Sequence, residues 1–240
     1  ANLPKSTFLI KMRNTFGTNS SKCMPTHLSM HNAQPTVLGN SEKCTMHNYI
    51  ISIVSIVTIA SIKKTTMTIE EVKSNIRDIV DFPIPGIVFK DLTTAFKNPD
   101  CMKFFEDEMY RLYKDKGITK VIGIESRGFI MAPVLGNKLG VGFVPIRKKG
   151  KLPADVIEIS YGKEYGEDVI QIHADSLDEN DVVLIHDDLL ATGGTMKAAC
   201  DLVKKFGVKK IYVNFLVELD FLEGRKMFGP EIEVESLLHF

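Results

Sequence analysis

The sequence predicts an α/β domain in which helices cover a parallel β-sheet, and three observations favour this fold. Short apolar runs alternate with longer amphipathic stretches from residue 120 to residue 217. Glycines and prolines fall between these segments, where turns are expected. The 240 residues are 44% hydrophobic and include only four cysteines, so a sizeable core is expected and a disulfide framework is not.

The composition of the chain changes near residue 66. Residues 1–66 carry a net charge of +6 and residues 67–240 carry −6. The apolar run at 49–62 is shorter than the ~20 residues that a membrane-spanning helix needs. We therefore expect an N-terminal extension, disordered or non-native, before a domain over residues 67–240. A transit peptide and a structured extension are the alternatives.

The elements of the domain follow from hydrophobic periodicity and capping residues. Thr68 can cap a helix that reaches about Val80, where a segment with two prolines ends it. Asn98 precedes Pro99 at the start of a second helix, which continues to about Asp115. Later segments are predicted as a strand, a helix and a strand, then a hairpin, then a strand, a helix and a strand: 120–124, 128–139, 141–146, 156–160 with 168–172, 181–185, 194–206 and 209–217.

A polar, glycine-rich segment follows the apolar strand at 181–185 and precedes a helix, which is typical of an anion site. Its donors are backbone N–H groups at two glycines and two threonine hydroxyls: Gly193, Gly194, Thr192 and Thr195. The carboxylates of Asp187 and Asp188 repel a phosphate but accept hydrogen bonds from a vicinal diol. This combination suits a ribose 5-phosphate.

The segment from Val182 to Thr195 resembles the 5-phosphoribosyl diphosphate signature of type I phosphoribosyltransferases, in the form used by the branch that acts on adenine. Further matches in the family's order and spacing cover essentially residues 68–240: 81–91, 123–129, 146–153, 160–166 and 216–219. The resemblance implies a sheet flanked by helices, a flexible flap over about 150–168 and a small N-terminal hood. It also implies the reaction of adenine with 5-phosphoribosyl diphosphate, which gives AMP and diphosphate in purine salvage.

The resemblance assigns roles to individual residues. Glu164 and Tyr165 on the flap are the catalytic pair, with the Glu164 carboxyl as a general acid or base near adenine N7 or N9. The ribose and the 5-phosphate are assigned to Asp187, Asp188, Ala191, Thr192, Gly193, Gly194 and Thr195. The diphosphate is assigned to Glu125, Ser126, Arg127, Arg147 and Lys151, with a cis peptide expected between the first two. Adenine is assigned to the main chain of Val88 and the side chains of Phe89 and Leu219.

The resemblance also implies Mg²⁺, held mainly by the diphosphate and the ribose hydroxyls with few or no protein ligands. No zinc site is expected, since the one histidine pair with i, i+4 spacing, His27 and His31, lies in the N-terminal extension. A homodimer is implied by the resemblance alone. The net negative charge of residues 67–240 disfavours nucleic acid, and the cysteine pattern favours free thiols in the cytoplasm, with organellar targeting as the alternative.

Two alternative functions stay open at the level of sequence, and a third alternative is a plain α/β domain whose phosphate segment is fortuitous. A phosphoribosyltransferase for hypoxanthine, guanine or xanthine would share the phosphate segment and differ in the base site. A non-catalytic regulatory module would bind 5-phosphoribosyl diphosphate but would be expected to lose the flap, whereas this chain retains Glu164, Tyr165 and the basic stretch 147–151.

Overall fold

The computed structural model describes residues 67–81, 85–86, 88–163 and 166–240. The predicted extension, residues 1–66, lies outside the described residues, and so do the two predicted catalytic residues, Glu164 and Tyr165. Within the described ranges, no helix combines the length and the hydropathy that crossing a membrane requires.

The hood consists of a short helix and a two-stranded antiparallel sheet. Helix α1 (Ile69–Ser74) is capped reciprocally by Thr68 and Glu71, and strands β1 (Arg77–Val80) and β2 (Val88–Asp91) pair after it. The prediction of a helix reaching residue 80 is therefore wrong beyond α1. The side chain of Asn75 donates a hydrogen bond to the Glu71 carbonyl, which competes with continuation of the helix.

A seven-stranded mixed sheet lies at the centre of the domain. Its strands in chain order are β3 (Lys120–Ile124), β4 (Gly142–Lys148), β5 (Val156–Lys163), β6 (Gly166–His173), β7 (Val182–Leu190), β8 (Lys210–Glu218) and β9 (Glu233–His239). Their spatial order is β5-β6-β4-β3-β7-β8-β9. Strands β4, β3, β7, β8 and β9 are mutually parallel. Strand β6 runs antiparallel to β4 and forms the predicted hairpin with β5.

Strand β7 extends further than its apolar run predicts. Its pairing with β8 continues through the polar residues as far as the pair Leu190 and Glu218. Asp187 and Asp188 therefore belong to the strand and not to the loop after it. Successive residues of a strand point to opposite faces, so their carboxylates leave the backbone in different directions.

Helices cover both faces of the sheet. They are α2 (Thr93–Phe96), α3 (Pro99–Tyr113), α4 (Gly128–Leu139) and α5 (Gly194–Lys204), and two 3-10 turns follow β8: Asp220–Leu222 and Gly224–Met227. Val121 packs in a core cluster with residues of α3 and α4, whereas the next residue, Ile122, packs in a separate cluster with α5. This alternation places the sheet between two helical layers.

Candidate active site

A cavity of about 380 Å³ lies at the carboxyl ends of β3 and β7. Two segments form most of its wall, residues 125–127 after β3 and residues 187–196 from β7 into α5. Four further residues complete the wall: Phe89, Lys148, Tyr161 and Phe215. Ligands of open α/β sheets bind at this edge, where loops leave parallel strands.

The floor of the cavity is the loop from β7 to α5, where the sequence predicts the phosphate. Gly193 adopts φ +85°, a left-handed conformation that favours glycine, and it precedes the first residue of α5. No side chain caps this helix terminus. The N–H groups of its first turn are therefore available for an anion, which the helix dipole also favours.

Asp187 and Asp188 meet Arg127 in the cavity wall. Arg127 Nε lies 3.0 Å from Asp188 Oδ2, and the Asp188 side chain is only 2% exposed. Burial raises the pKa of both carboxyls; the neighbouring charge of Asp188 adds to the rise at Asp187, and Arg127 opposes it at Asp188. Arg127 also lies over the ring of Phe89, 5.5 Å from its centroid. One guanidinium therefore links Asp188, predicted to bind the ribose, to Phe89, predicted to bind the base.

Gly128 permits the close approach of the Arg127 segment to β7. A Cβ atom at this position would lie 2.6 Å from the His186 carbonyl oxygen and 3.2 Å from Asp187 Oδ1. His186 itself is fully buried with Nδ1 2.8 Å from Asn214 Oδ1, and burial lowers its pKa to about 4. It is therefore neutral near pH 7 and adds no charge beside the two aspartates.

Glu125 gathers the predicted diphosphate-binding cations. The peptide bond between Glu125 and Ser126 is cis, as the resemblance implies. The Glu125 carboxylate accepts hydrogen bonds from Arg147 Nε at 3.3 Å and Lys151 Nζ at 2.5 Å, and from the Lys148 N–H at 3.1 Å. Burial alone would raise the pKa of this carboxyl, but these hydrogen bonds outweigh burial and lower it to about 2. Glu125 is therefore ionised, which suits it to hold cations and not to contact an anion.

The three residues predicted to bind adenine are not equivalent in the structure. Phe89 lines the cavity, whereas Val88 and Leu219 do not. Val88 is 40% exposed, and Leu219 is buried after the end of β8, where its N–H donates to the Leu190 carbonyl at 3.0 Å. Lys90, the neighbour of Phe89 on β2, forms an ion pair with Asp78 of β1 at 2.6 Å. Its charge therefore serves the hood.

Tyr161 is a site residue that the sequence analysis did not single out. It lies on β5, lines the cavity and accepts a hydrogen bond from the Thr195 hydroxyl at 3.3 Å. Lys148 also lines the cavity, whereas Arg147 and Lys151 join the site through Glu125. The match at 160–166 includes Tyr161, but nothing local in the sequence indicates that β5 returns to the start of α5.

Comparison with known proteins identifies the class of enzyme and then the family. The family model described as the phosphoribosyl transferase domain matches residues 97–226, so the protein is a phosphoribosyltransferase by class. The adenine phosphoribosyltransferase of Bacteroides thetaiotaomicron is 64% identical over 172 residues, which cover 72% of this chain and 98% of that protein. That of Bacteroides fragilis is 60% identical over 174 residues, with the same two coverages. The chain belongs to the adenine phosphoribosyltransferase family.

Solved structures agree with this assignment. The APRTase of Giardia lamblia, complexed with 9-deazaadenine, matches with a TM-score of 0.69 and 44% identity, covering 73% of this chain and 99% of that one. Adenine phosphoribosyltransferase of Saccharomyces cerevisiae, complexed with an imino-altritol bisphosphate and adenine, matches with a TM-score of 0.67 and 37% identity, covering 71% and 98%. The family, the fold class and the enzyme class predicted from the sequence are confirmed.

Proposed function

We propose that the cavity at the carboxyl edge of the sheet is the site at which this pentosyltransferase joins adenine to the ribose 5-phosphate of 5-phosphoribosyl diphosphate. The products are AMP and diphosphate, as in purine salvage. One observation carries the proposal: an uncapped helix terminus, a pair of carboxylates and the guanidinium of Arg127 line a single cavity.

The 5-phosphate would bind over the loop from Ala191 to Thr195. Backbone N–H groups at Gly193 and Gly194 and the hydroxyls of Thr192 and Thr195 supply donors, and the α5 terminus supplies partial positive charge. The ribose hydroxyls would donate to Asp187 and Asp188. Such hydrogen bonds to charged acceptors are stronger than neutral ones, so they fix the sugar as well as bind it.

The diphosphate would bind on the opposite side of the sugar. Ser126 and Arg127 line that wall, and Glu125 holds Arg147 and Lys151 beside it. These cations stabilise the charge that grows on the leaving group as the bond from C1 to oxygen breaks. The carboxylates on the sugar side stabilise the positive charge that develops at C1 and the ring oxygen.

Adenine would attack C1 through N9, held against the Phe89 ring, and the Val88 main chain and Leu219 would contact the base beyond the cavity wall. We assign the proton transfer at the adenine nitrogens to Glu164, with Tyr165 next to it in the sequence, on the predicted flap over about 150–168. A flap closed over the cavity would exclude water, which would otherwise hydrolyse the activated sugar.

Mg²⁺ would enter with the substrate, held mainly by the diphosphate and the ribose hydroxyls. Glu125 and Asp188 are each engaged by cations, whereas Asp187 forms no such ion pair within the described part of the chain. Oxygen ligands are those that Mg²⁺ prefers, so Asp187 is the cavity carboxylate that would add a protein contact to the substrate-held ion, directly or through water. When bound, the ion neutralises part of the diphosphate charge.

A cytoplasmic homodimer completes the proposal. In such a dimer we propose that Arg147 and Lys151 reach the diphosphate of the neighbouring subunit. The buried free thiols of Cys101 and Cys200 suit a reducing compartment. Sedimentation equilibrium of the full chain should give twice the 26.8 kDa of one chain. A monomer at assay concentration would contradict the dimer, and recovery of the protein in an organellar fraction of its own cells would contradict the location.

The activity is tested by assaying the full chain with Mg²⁺ and 5-phosphoribosyl diphosphate against adenine, hypoxanthine, guanine and xanthine in parallel. Diphosphate release with adenine alone is the expected result. Turnover of an oxopurine would favour a sibling enzyme. Binding of 5-phosphoribosyl diphosphate without turnover of any base would favour a regulatory module.

A further inference from the structure

The loop from Ala191 to Thr195, called the phosphate loop below, is in direct contact with the 3-10 turn Gly224–Met227 on the side away from the cavity. A Cβ atom on Gly224 would lie 2.1 Å from the Ala191 carbonyl oxygen, and one on Gly193 would lie 2.7 Å from the Gly224 carbonyl oxygen. Real Cβ atoms do not approach backbone oxygens so closely, so the two backbones leave no room for a side chain at either position. The side chain of Met227 adds a further contact, 3.1 Å from the Cβ position of Gly193.

The turn is itself tied to the central sheet by Arg225. Its Nε and Nη2 donate to the two carboxylate oxygens of Glu218 at 3.1 and 2.6 Å, and its Nη1 donates to the Val234 carbonyl at 2.5 Å. Glu218 ends β8, its side chain is 6% exposed, and it also accepts a hydrogen bond from the Ser236 hydroxyl. Paired hydrogen bonds of this kind fix orientation as well as distance.

We infer that Gly224 and Arg225 are positioning residues that set the backbone of the phosphate loop. Neither residue lines the cavity, so both act through Ala191 and Gly193. The fork between Arg225 and Glu218 holds the turn on β8 and β9, and the turn holds the loop against the end of β7. The inference rests on the proposed function, since it takes residues 191–195 as the 5-phosphate site.

The 5-phosphate and the diphosphate of the substrate should be affected differently. A shifted loop weakens the grip on the 5-phosphate, whereas the diphosphate side, built on Glu125 and Arg127, belongs to a different segment after β3. Small displacements of a binding group cost up to about a hundredfold in rate or affinity when the geometry is demanding. The expected signature is therefore selective and not a general loss of activity.

The test compares three variants of the full chain by steady-state kinetics and by calorimetric binding of ribose 5-phosphate and of diphosphate. Gly224→Ala places a methyl group against the Ala191 carbonyl. Arg225→Lys keeps the charge but loses the fork. Gly142→Ala is the matched control, because its new Cβ would meet Lys120 Cδ at an ordinary 3.5 Å.

For Gly224→Ala we expect KM for 5-phosphoribosyl diphosphate and Kd for ribose 5-phosphate to rise about tenfold or more, with KM for adenine and Kd for diphosphate nearly unchanged. Arg225→Lys should show the same selectivity at smaller amplitude, and it decides the question alone if Gly224→Ala does not fold. The control should match the wild type.

Wild-type constants in Arg225→Lys, or equal weakening of the binding of both ligands, would overturn the inference. Failure of the wild type itself to bind ribose 5-phosphate would overturn the proposed function, and the inference with it.

Discussion

The hydroxyl groups of Tyr161 and Thr195 are hydrogen-bonded at 3.3 Å, with Thr195 as the donor. Tyr161 belongs to the hairpin of β5 and β6, and Thr195 belongs to the first turn of α5. The Tyr161 hydroxyl in turn donates to Asp168 Oδ2 at 3.4 Å. The hairpin of β5 and β6, part of the predicted flap, is thus in contact with the proposed 5-phosphate loop, so the position of the hairpin and occupancy of the loop should depend on each other.

Tyr161→Phe should therefore raise KM for 5-phosphoribosyl diphosphate by about fivefold, since a single neutral hydrogen bond contributes about 1 kcal/mol. The ring and its packing are retained, so the melting temperature should stay close to that of the wild type. Tyr110→Phe on α3 makes the same chemical deletion outside the cavity wall and serves as the control. Equal KM values for the two variants would show that the hydrogen bond between Tyr161 and Thr195 does not contribute to substrate binding.

Glu125→Gln should weaken diphosphate binding. The substitution keeps the shape of the side chain but removes the charge that holds Arg147 and Lys151, so both cations become less ordered. Inhibition by the product diphosphate should weaken by about tenfold, as expected for loss of a charged hydrogen-bonding group. Glu231→Gln, which removes an exposed partner of Lys204, should leave inhibition unchanged. Unaltered diphosphate inhibition in Glu125→Gln would show that Glu125 does not organise these cations.

Asp187→Asn should remove activity and yet stabilise the fold at pH 8. The pKa of the Asp187 carboxyl is raised in the folded protein, first by burial and then by the charge of Asp188. The folded state therefore holds its proton more tightly than the unfolded state does, and ionisation destabilises the fold as pH rises above the unfolded value of about 3.9. A neutral side chain avoids this cost, so the melting temperature should rise by about 2–4 °C for each kcal/mol gained.

The gain in Asp187→Asn should shrink as the pH is lowered from 8 towards 5, because the folded wild type keeps its proton while the unfolded chain gains less free energy from releasing its own as the pH falls. Differential scanning calorimetry across this range measures the effect. Asp115→Asn, at an exposed carboxyl, should show no such dependence. A pH-independent change in Asp187→Asn would mean that relief of a buried charge is not its cause.

Sequence periodicity predicted the parts of the fold that depend on local pattern. Strand 120–124 and helix 128–139 have the bounds that the pattern indicates, because Gly128 and the left-handed Gly140 delimit the helix. The helix from Pro99 follows its Asn98 cap in the same way and ends at Tyr113, close to the expected position. These features are set by residues within a few positions of each other.

The elements that were missed depend on partners far along the chain. Residues 77–80 continue a helical pattern of apolar side chains, but pairing with β2 makes them a strand. Strand β9 lies at the edge of the sheet and has no long apolar run, since polar residues interrupt its three apolar ones. The contacts of Tyr161 with Thr195 and of Gly224 with Ala191 likewise join segments whose proximity follows only from the folded topology.

The central claim is that the loop from Ala191 to Thr195 binds the 5-phosphate while Asp187 and Asp188 bind the ribose hydroxyls. A crystal structure of the full chain with AMP tests it most directly. We predict the phosphate of AMP at the N-terminus of α5, both aspartates within hydrogen-bonding distance of the ribose, and adenine against Phe89. AMP bound elsewhere, or bound with its phosphate turned towards Arg147 and Lys151, would contradict the account.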